Sequence, residues 1–293
     1  MSMRLSDNFR GAGLMTCCVM AYVINDAIMK LLFADIDFFQ AIFLRGVVSL
    51  PPLLFLALMT KNFLQKYSTK NKRLMSIRIL AEIGTTVTFL TALKYMPLAN
   101  VTAILQSLPL AITMAAAIFL GEKVGWRRWS AIFIGFTGVL IIVRPGLVGF
   151  NSYSLLALAA VLLLTVREIS TRKLDSNIPT VTVAFSTTLG STIFAALMLT
   201  GRDWAEVDLA SWLLIITAAA AVTVATLLSV VAMRTGDISF VSPFRYTSLI
   251  GAIGLGILLF GEWPDGITFT GAFIIVFAGI YSIYREKILG KNN

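Results

Sequence analysis

Residues 98–122 read LANVTAILQSLPLAITMAAAIFLGE: apolar as far as Leu120, then stopped by Gly121-Glu122 and a basic run of Lys123, Arg127 and Arg128. The pattern returns 140 residues on. Residues 240–262 read FVSPFRYTSLIGAIGLGILLFGE, apolar as far as Phe260, then stopped by Gly261-Glu262 and a Trp-Pro-Asp-Gly turn. At that offset Val101 matches Val241, Gly121 matches Gly261, Glu122 matches Glu262, and Phe133-Ile134 match Phe273-Ile274. Few other identities survive, but segment lengths and punctuation do. The chain therefore reads as two halves of one plan.

Composition fixes the solvent of those halves. Of 293 residues 58% are hydrophobic and 13% charged, with a mean hydropathy of +0.87. A soluble domain is nearer half apolar and a quarter charged. The excess comes in ten runs of about 20 residues, the length that crosses a hydrocarbon core of ~30 Å. They lie near 11–33, 38–60, 74–95, 98–119, 127–144, 153–172, 178–200, 211–233, 239–260 and 267–284. The predicted fold class is an all-α polytopic membrane protein, with one five-helix repeat over 11–144 and another over 153–284. A basic loop over 61–73 is the longest connection. Arg4 and Arg10 precede the first run in the manner of a signal peptide, but the run continues past Asp26 to Phe33, so it reads as a retained first span.

The +9 charge does not imply nucleic acid, because the bases sit in short loops between apolar runs. With the N-terminus in the cytoplasm, sixteen lysines and arginines fall in inside segments, and only Lys94, Arg144 and Arg202 fall outside. That bias predicts cytoplasmic N- and C-termini. Five spans per half is an odd number, so the second half enters from the opposite side. Inverted repeats of this kind are built by secondary transporters, with the substrate near the midplane.

The two five-span halves, each with Gly-Glu closing its fourth span, resemble the drug/metabolite transporter superfamily in its EamA-type branch. Asn8-Phe9-Arg10-Gly11, Asn25-Asp26-Ala27 with Lys30, and Gln40 with Phe43-Leu44-Arg45 are similar to a subgroup for uptake of vitamin- or nucleoside-like metabolites. Riboflavin and S-adenosylmethionine are among them. The second half departs from the pattern at Phe185, which stands where Arg45 would lead one to expect a base. The resemblance implies a bacterial cytoplasmic (inner) membrane protein that works by alternating access on a small-molecule substrate. An exporter of amino acids or drugs is the alternative, and a membrane scaffold without transport is a third reading.

Ionisable groups within spans face a cavity or a partner. Eight are present. Asp26, Lys30 and Arg45 fall in the outer half of the membrane; Arg78, Glu82, Arg167, Glu168 and Arg245 fall in the inner half. The i, i+4 spacing sets Asp26 beside Lys30 and Arg78 beside Glu82. One ionic cluster on each side of a central cavity is the expectation, with Asp26, Lys30, Arg78, Glu82, Arg167 and Glu168 as gating or ion-coupling groups. Substrate contacts are expected from Tyr22, Asn25, Arg45, Gln106, Arg245 and Tyr246, with Gln106 facing Tyr246 at the centre of spans four and nine. Internal prolines such as Pro109 and Pro243 are compatible with membrane helices. Glu122 and Glu262 are expected as caps of the helices that follow them.

Histidine is absent from the chain, and so is a Gly-x-x-x-x-Gly-Lys-Ser/Thr loop. That removes HExxH metal sites, Ser-His hydrolysis and self-contained ATP drive. Cys17 and Cys18 are adjacent within the first run and read as packing. Neither an enzyme nor a cofactor or metal is expected. Proton coupling, exchange and passive facilitated transport all stay open, with Asp26, Glu82 and Glu168 as the intramembrane acids able to carry a proton. Oligomeric state is open. If the ionic groups gate, Arg45→Ala and Glu82→Gln should lose most uptake at normal expression, measured as substrate accumulation in expressing cells.

Overall fold

The computed structural model describes residues 2–60, 67–119, 121, 124–145, 151–175, 177–235 and 241–290. Every regular element among them is helical. Spans one to three are α1 (Ser2–Asp35), α2 (Phe38–Leu58) and α3 (Thr69–Tyr95). Span four is α4 (Leu98–Leu105) followed by α5 (Leu108–Phe119), and span five is α6 (Trp126–Val143). Spans six to eight are α7 (Tyr153–Arg172), α8 (Thr180–Met198) and α9 (Leu209–Arg234). Span nine is a 3-10 turn (Ser242–Tyr246) running into α10 (Thr247–Phe260), and span ten is α11 (Gly266–Gly290). Ten crossings return the chain to the side on which it began, here called the terminal side.

Short polar side chains cap several helix starts. Asp37 accepts from the amides of Phe39 and Gln40 at 2.9 and 3.3 Å. Ser68 accepts from Asn71 at 3.2 Å, Asp208 from Ser211 at 2.8 Å, and Asp265 from Thr268 at 2.8 Å. Each occupies amides that a helix cannot pair internally. The Ser68 cap shortens the basic loop expected over 61–73: residues 69–73 already belong to α3. The glycines of the two Gly-Glu pairs share a left-handed backbone, with φ +69° at Gly121 and +65° at Gly261. Glycine enters that region without steric cost, which is why this punctuation recurs.

Spans four and nine are not the uninterrupted helices expected of them. The first breaks at Gln106-Ser107 and the second changes from 3-10 to α at Tyr246-Thr247, positions related by the same 140-residue offset. The prolines differ: Pro109 lies just after the first break and Pro243 just before the second. Neither has an N–H to give to the preceding turn. Local bonds replace the missing ones, such as Ser107 Oγ to the Ile104 carbonyl at 2.7 Å and Thr247 Oγ1 to that of Phe244 at 2.6 Å. Gln106 Nε2 donates to Ser248 Oγ at 3.0 Å and ties the two breaks together.

The main helix contacts join the halves: α1 with α9, α2 with α8, α3 with α7, α6 with α11, and α4 with α10. Exchanging the halves leaves this set unchanged, as a two-fold requires. The start of span four meets the end of span nine, since Glu262 Oε2 accepts from the Leu98 amide at 2.8 Å. The two spans therefore run antiparallel, and the repeats are inverted. Between α6 and α11 the backbones nearly touch; a Cβ on Gly138 would lie 2.8 Å from the Gly271 carbonyl oxygen. Small residues permit such contact where lipid supplies no hydrophobic drive.

An ion pair closes the α6–α11 junction away from the terminal side. Arg144, which ends α6 with φ 52°, bonds Asp265 at the start of α11. The Arg144 guanidinium, helped by the Thr268 amide, holds the Asp265 carboxyl down to about 2. A carboxyl depressed on folding stabilises above its unfolded value of about 4 and loses that contribution as pH falls through about 2. Asp265→Ala is therefore expected to lower the unfolding temperature in detergent by a few degrees, equally at pH 5 and pH 8. The cap accounts for about 1 kcal/mol of this.

Candidate functional site

A cavity of about 280 Å³ lies between the halves, lined from α1, α2, α3, α7, α8 and α9. Its charged wall carries Arg45, Arg78, Glu82, Arg167 and Glu168. Arg167 is the hub. Its Nη1 donates to Glu82 Oε2 at 2.9 Å, and its Nε and Nη2 donate to Glu168 Oε1 at 3.1 and 2.7 Å. Glu82 belongs to α3 and Arg167 to α7, so this pair joins the halves. Arg78 Nη1 donates to Thr171 Oγ1 at 2.5 Å, and Thr171 in turn donates to the Arg167 carbonyl at 2.7 Å.

Arg45 comes from α2. Its Nη1 donates to Asn25 Oδ1 at 3.1 Å, and Asn25 Nδ2 donates to Asp26 Oδ1 at 2.9 Å. Asn25 and Asp26 stand behind Arg45 and do not themselves line the cavity. Tyr22 does, with its hydroxyl 3.4 Å from Thr226 Oγ1. The Thr226 hydroxyl already donates to the Val222 carbonyl at 2.8 Å, so Tyr22 is the donor of that pair.

The expected i, i+4 pairs do not form. Lys30 donates to Glu262 Oε1 at 2.5 Å and to the Met96 carbonyl at 2.6 Å, rather than to Asp26. Glu82 is taken by Arg167 rather than Arg78. Nor do the charges divide as expected, because Arg45 shares its cavity with the group assigned to the inner half. Lys30 alone of the outer three goes to a separate cluster. There Glu262 takes the Lys30 ammonium on one oxygen and the Leu98 amide on the other. Glu262 is a cap, as expected, but of α4 in the opposite half instead of the helix that follows it. Its expected counterpart Glu122 lies outside the described residues.

Gln106, Arg245 and Tyr246 do not line the cavity. Gln106 faces Ser248, and Tyr246 packs its ring against Gly279 of α11, where a Cβ would lie well inside contact with the phenol. Arg245 is an electrostatic neighbour of Glu168 from the 3-10 turn. The cavity is also lined by a wall of hydroxyls that spacing and charge did not single out: Thr187, Thr188, Ser191 and Thr192 on α8, with Thr223 and Ser229 on α9. Their signal was available. Hydroxyls at 187, 188, 191 and 192 recur at helical spacing on one face. Among the described residues no group of three metal-binding side chains gathers.

Residues 9–144 and 151–285 each match the EamA-like transporter family, and the two matches coincide with the two halves. The chain belongs to the EamA-like transporter family. It is 35% identical to the riboflavin transporter of Vibrio cholerae over 67% of its own length and 66% of that protein, just under two thirds. It is 25% identical to an S-adenosylmethionine uptake transporter of Rickettsia bellii over 90% of this chain and 89% of that one. A pseudopaline exporter of Pseudomonas aeruginosa is 26% identical over 69% of this chain and 71% of that protein. One solved crystal structure matches with a TM-score of 0.59 at 17% identity, covering 99% of each chain, and shows the same fold. This EamA-like chain is accordingly a multi-pass membrane transporter.

Removing Arg167 would leave Glu82 and Glu168 facing each other without the guanidinium that hydrogen-bonds both, a larger penalty than losing the whole cluster. Arg167→Gln is expected to destabilise by about 1–3 kcal/mol, reduced from the fully buried figure because the three side chains are 23–34% exposed. The triple change Glu82→Gln, Arg167→Gln, Glu168→Gln should recover much of that loss. Thermal unfolding of the purified variants checks both.

Proposed function

We propose that the chain is a secondary carrier that takes up a small organic metabolite across the bacterial cytoplasmic membrane by alternating access. The observation that carries this reading is a polar cavity between inverted halves, reached by the ends of only one side. Thr171 at the end of α7 and Thr180 at the start of α8 line it on the terminal side. At the other side the helix ends are tied. Lys30, Glu262 and Leu98 join α1, α10 and α4. Gln40 exchanges two bonds with the Ala205 backbone at 2.7 and 3.0 Å, and Arg202 pairs with Asp37 at 3.1 Å. With the lysine and arginine bias of the loops setting both termini inside, the state is inward-facing. Alternation would break the tied side and close the terminal side, and ion pairs between halves are suited to such exchange.

The substrate is taken to be vitamin- or nucleoside-like. The relatives named as a riboflavin transporter and an S-adenosylmethionine uptake transporter support that class, and the second name supports the direction of uptake. The relative named as a pseudopaline exporter favours the second reading, export of amino acids or drugs. Coupling to protons would fall to Asp26, Glu82 or Glu168.

Cells expressing the chain should accumulate labelled riboflavin or S-adenosylmethionine, and a matching auxotroph should grow on a low external supply. Glu82→Gln should reduce accumulation at least about tenfold at equal expression. Resistance to an excess of the compound, with no accumulation, would instead support export. Loss of uptake with a protonophore would assign the driving force.

A further inference from the structure

We propose that the cavity selects substrates bearing a single carboxylate, held between the guanidiniums of Arg45 and Arg78, with the neutral remainder against the hydroxyls of α8 and α9. This deepens the carrier reading above and rests on it. Three guanidiniums and two carboxylates line the space. Both carboxylates are engaged by Arg167, through bonds of 2.7 to 3.1 Å. Among the described residues Arg45 and Arg78 pair with no carboxylate: Arg45 meets the Asn25 amide and Arg78 the Thr171 hydroxyl. Arg78 Nε is buried without a partner. Asp26 lies one amide behind Arg45 and Arg245 lies near Glu168, so with both counted there are four guanidiniums and three carboxylates. Lys30 does not enter the balance, being bound to Glu262.

One positive charge in excess suits a carboxylate better than a doubly charged phosphate. Guanidinium forks match the two oxygens of a carboxylate, and such bonds gain strength where water is scarce. Ring stacking offers little competition, since among the described residues Tyr22 is the one aromatic side chain lining the cavity. The hydroxyls of Ser49, Ser191 and Thr223 are buried without partners and are free to donate to acceptors on the rest of the ligand.

The test uses the purified full-length chain in detergent and compounds that differ by one group. They are S-adenosylmethionine with its decarboxylated form, methionine with its amide, and neutral riboflavin with riboflavin 5′-phosphate. Affinity is read by calorimetry and by ligand-induced thermal shift. At least one carboxylate-bearing compound should bind, and its partner lacking the carboxylate should bind about 10- to 100-fold more weakly, the value of one or two charge-assisted bonds. Arg45→Lys and Arg78→Lys keep the charge and should keep the unliganded unfolding temperature while losing most of that preference. Equal binding of either matched pair overturns the proposal. So does riboflavin binding that the lysine variants leave intact, or a preference for the phosphate. In those cases uptake of the bound compound by cells leaves the carrier reading standing. No uptake and no binding across the set overturns both.

Discussion

A guanidinium at membrane depth needs hydrogen-bond acceptors where it stands, and Arg167 finds charged ones in Glu82 and Glu168. Glu168 is its sequence neighbour; Glu82 comes from the other half of the molecule. Isolated charges in hydrocarbon cost several kcal/mol each. The pairing therefore tolerates no wide separation of α3 and α7, and by the two-fold it is echoed in the pairing of α1 with α9. A polar space has to exist around such a cluster, because the charges remain partly hydrated. The cavity and the clamp between halves are two results of one electrostatic requirement.

A second constraint acts on the backbone. Lipid offers nothing to an amide left without an acceptor, so a helix that starts or breaks within the membrane needs a partner from another element. Glu262 provides one for Leu98, and Gln106 with Ser248 binds the two interruptions to each other. Both bonds cross between halves and both belong to spans four and nine. Those spans therefore serve as a central axis more than as walls, while the walls of the cavity come from spans one to three and six to eight.

Much of the fold was legible in the sequence because the bilayer writes it in coarse terms. Run length gave ten spans, the odd number per half gave their inversion, and the glycines at 121 and 261 marked matched helix ends. What could not be read was the choice among partners. Spacing put Asp26 next to Lys30, but Lys30 reaches a carboxylate 232 residues away that also caps a helix. Spacing put Arg78 next to Glu82, yet Arg167 holds Glu82 from another helix. Helix-surface pairs contribute only tenths of a kcal/mol, so a tertiary pairing in a dry setting displaces them. The breaks in spans four and nine were signalled by Pro109 and Pro243, residues that membrane helices often absorb. The hydroxyl wall was hidden for a similar reason: Thr187 and Thr192 bond carbonyls of their own helix, those of Val183 at 3.0 Å and Thr188 at 2.7 Å.

The central claim is a cavity between inverted halves that is open on the terminal side and tied shut on the other. Side-resolved labelling tests it most directly. In a background with Cys17 and Cys18 replaced by serine, a single Thr188→Cys reports from within the cavity. A membrane-impermeant maleimide should label it readily in inside-out vesicles and at least about tenfold more slowly in right-side-out vesicles. Equal labelling from both sides, or faster labelling from the side bearing Glu262, would contradict the account.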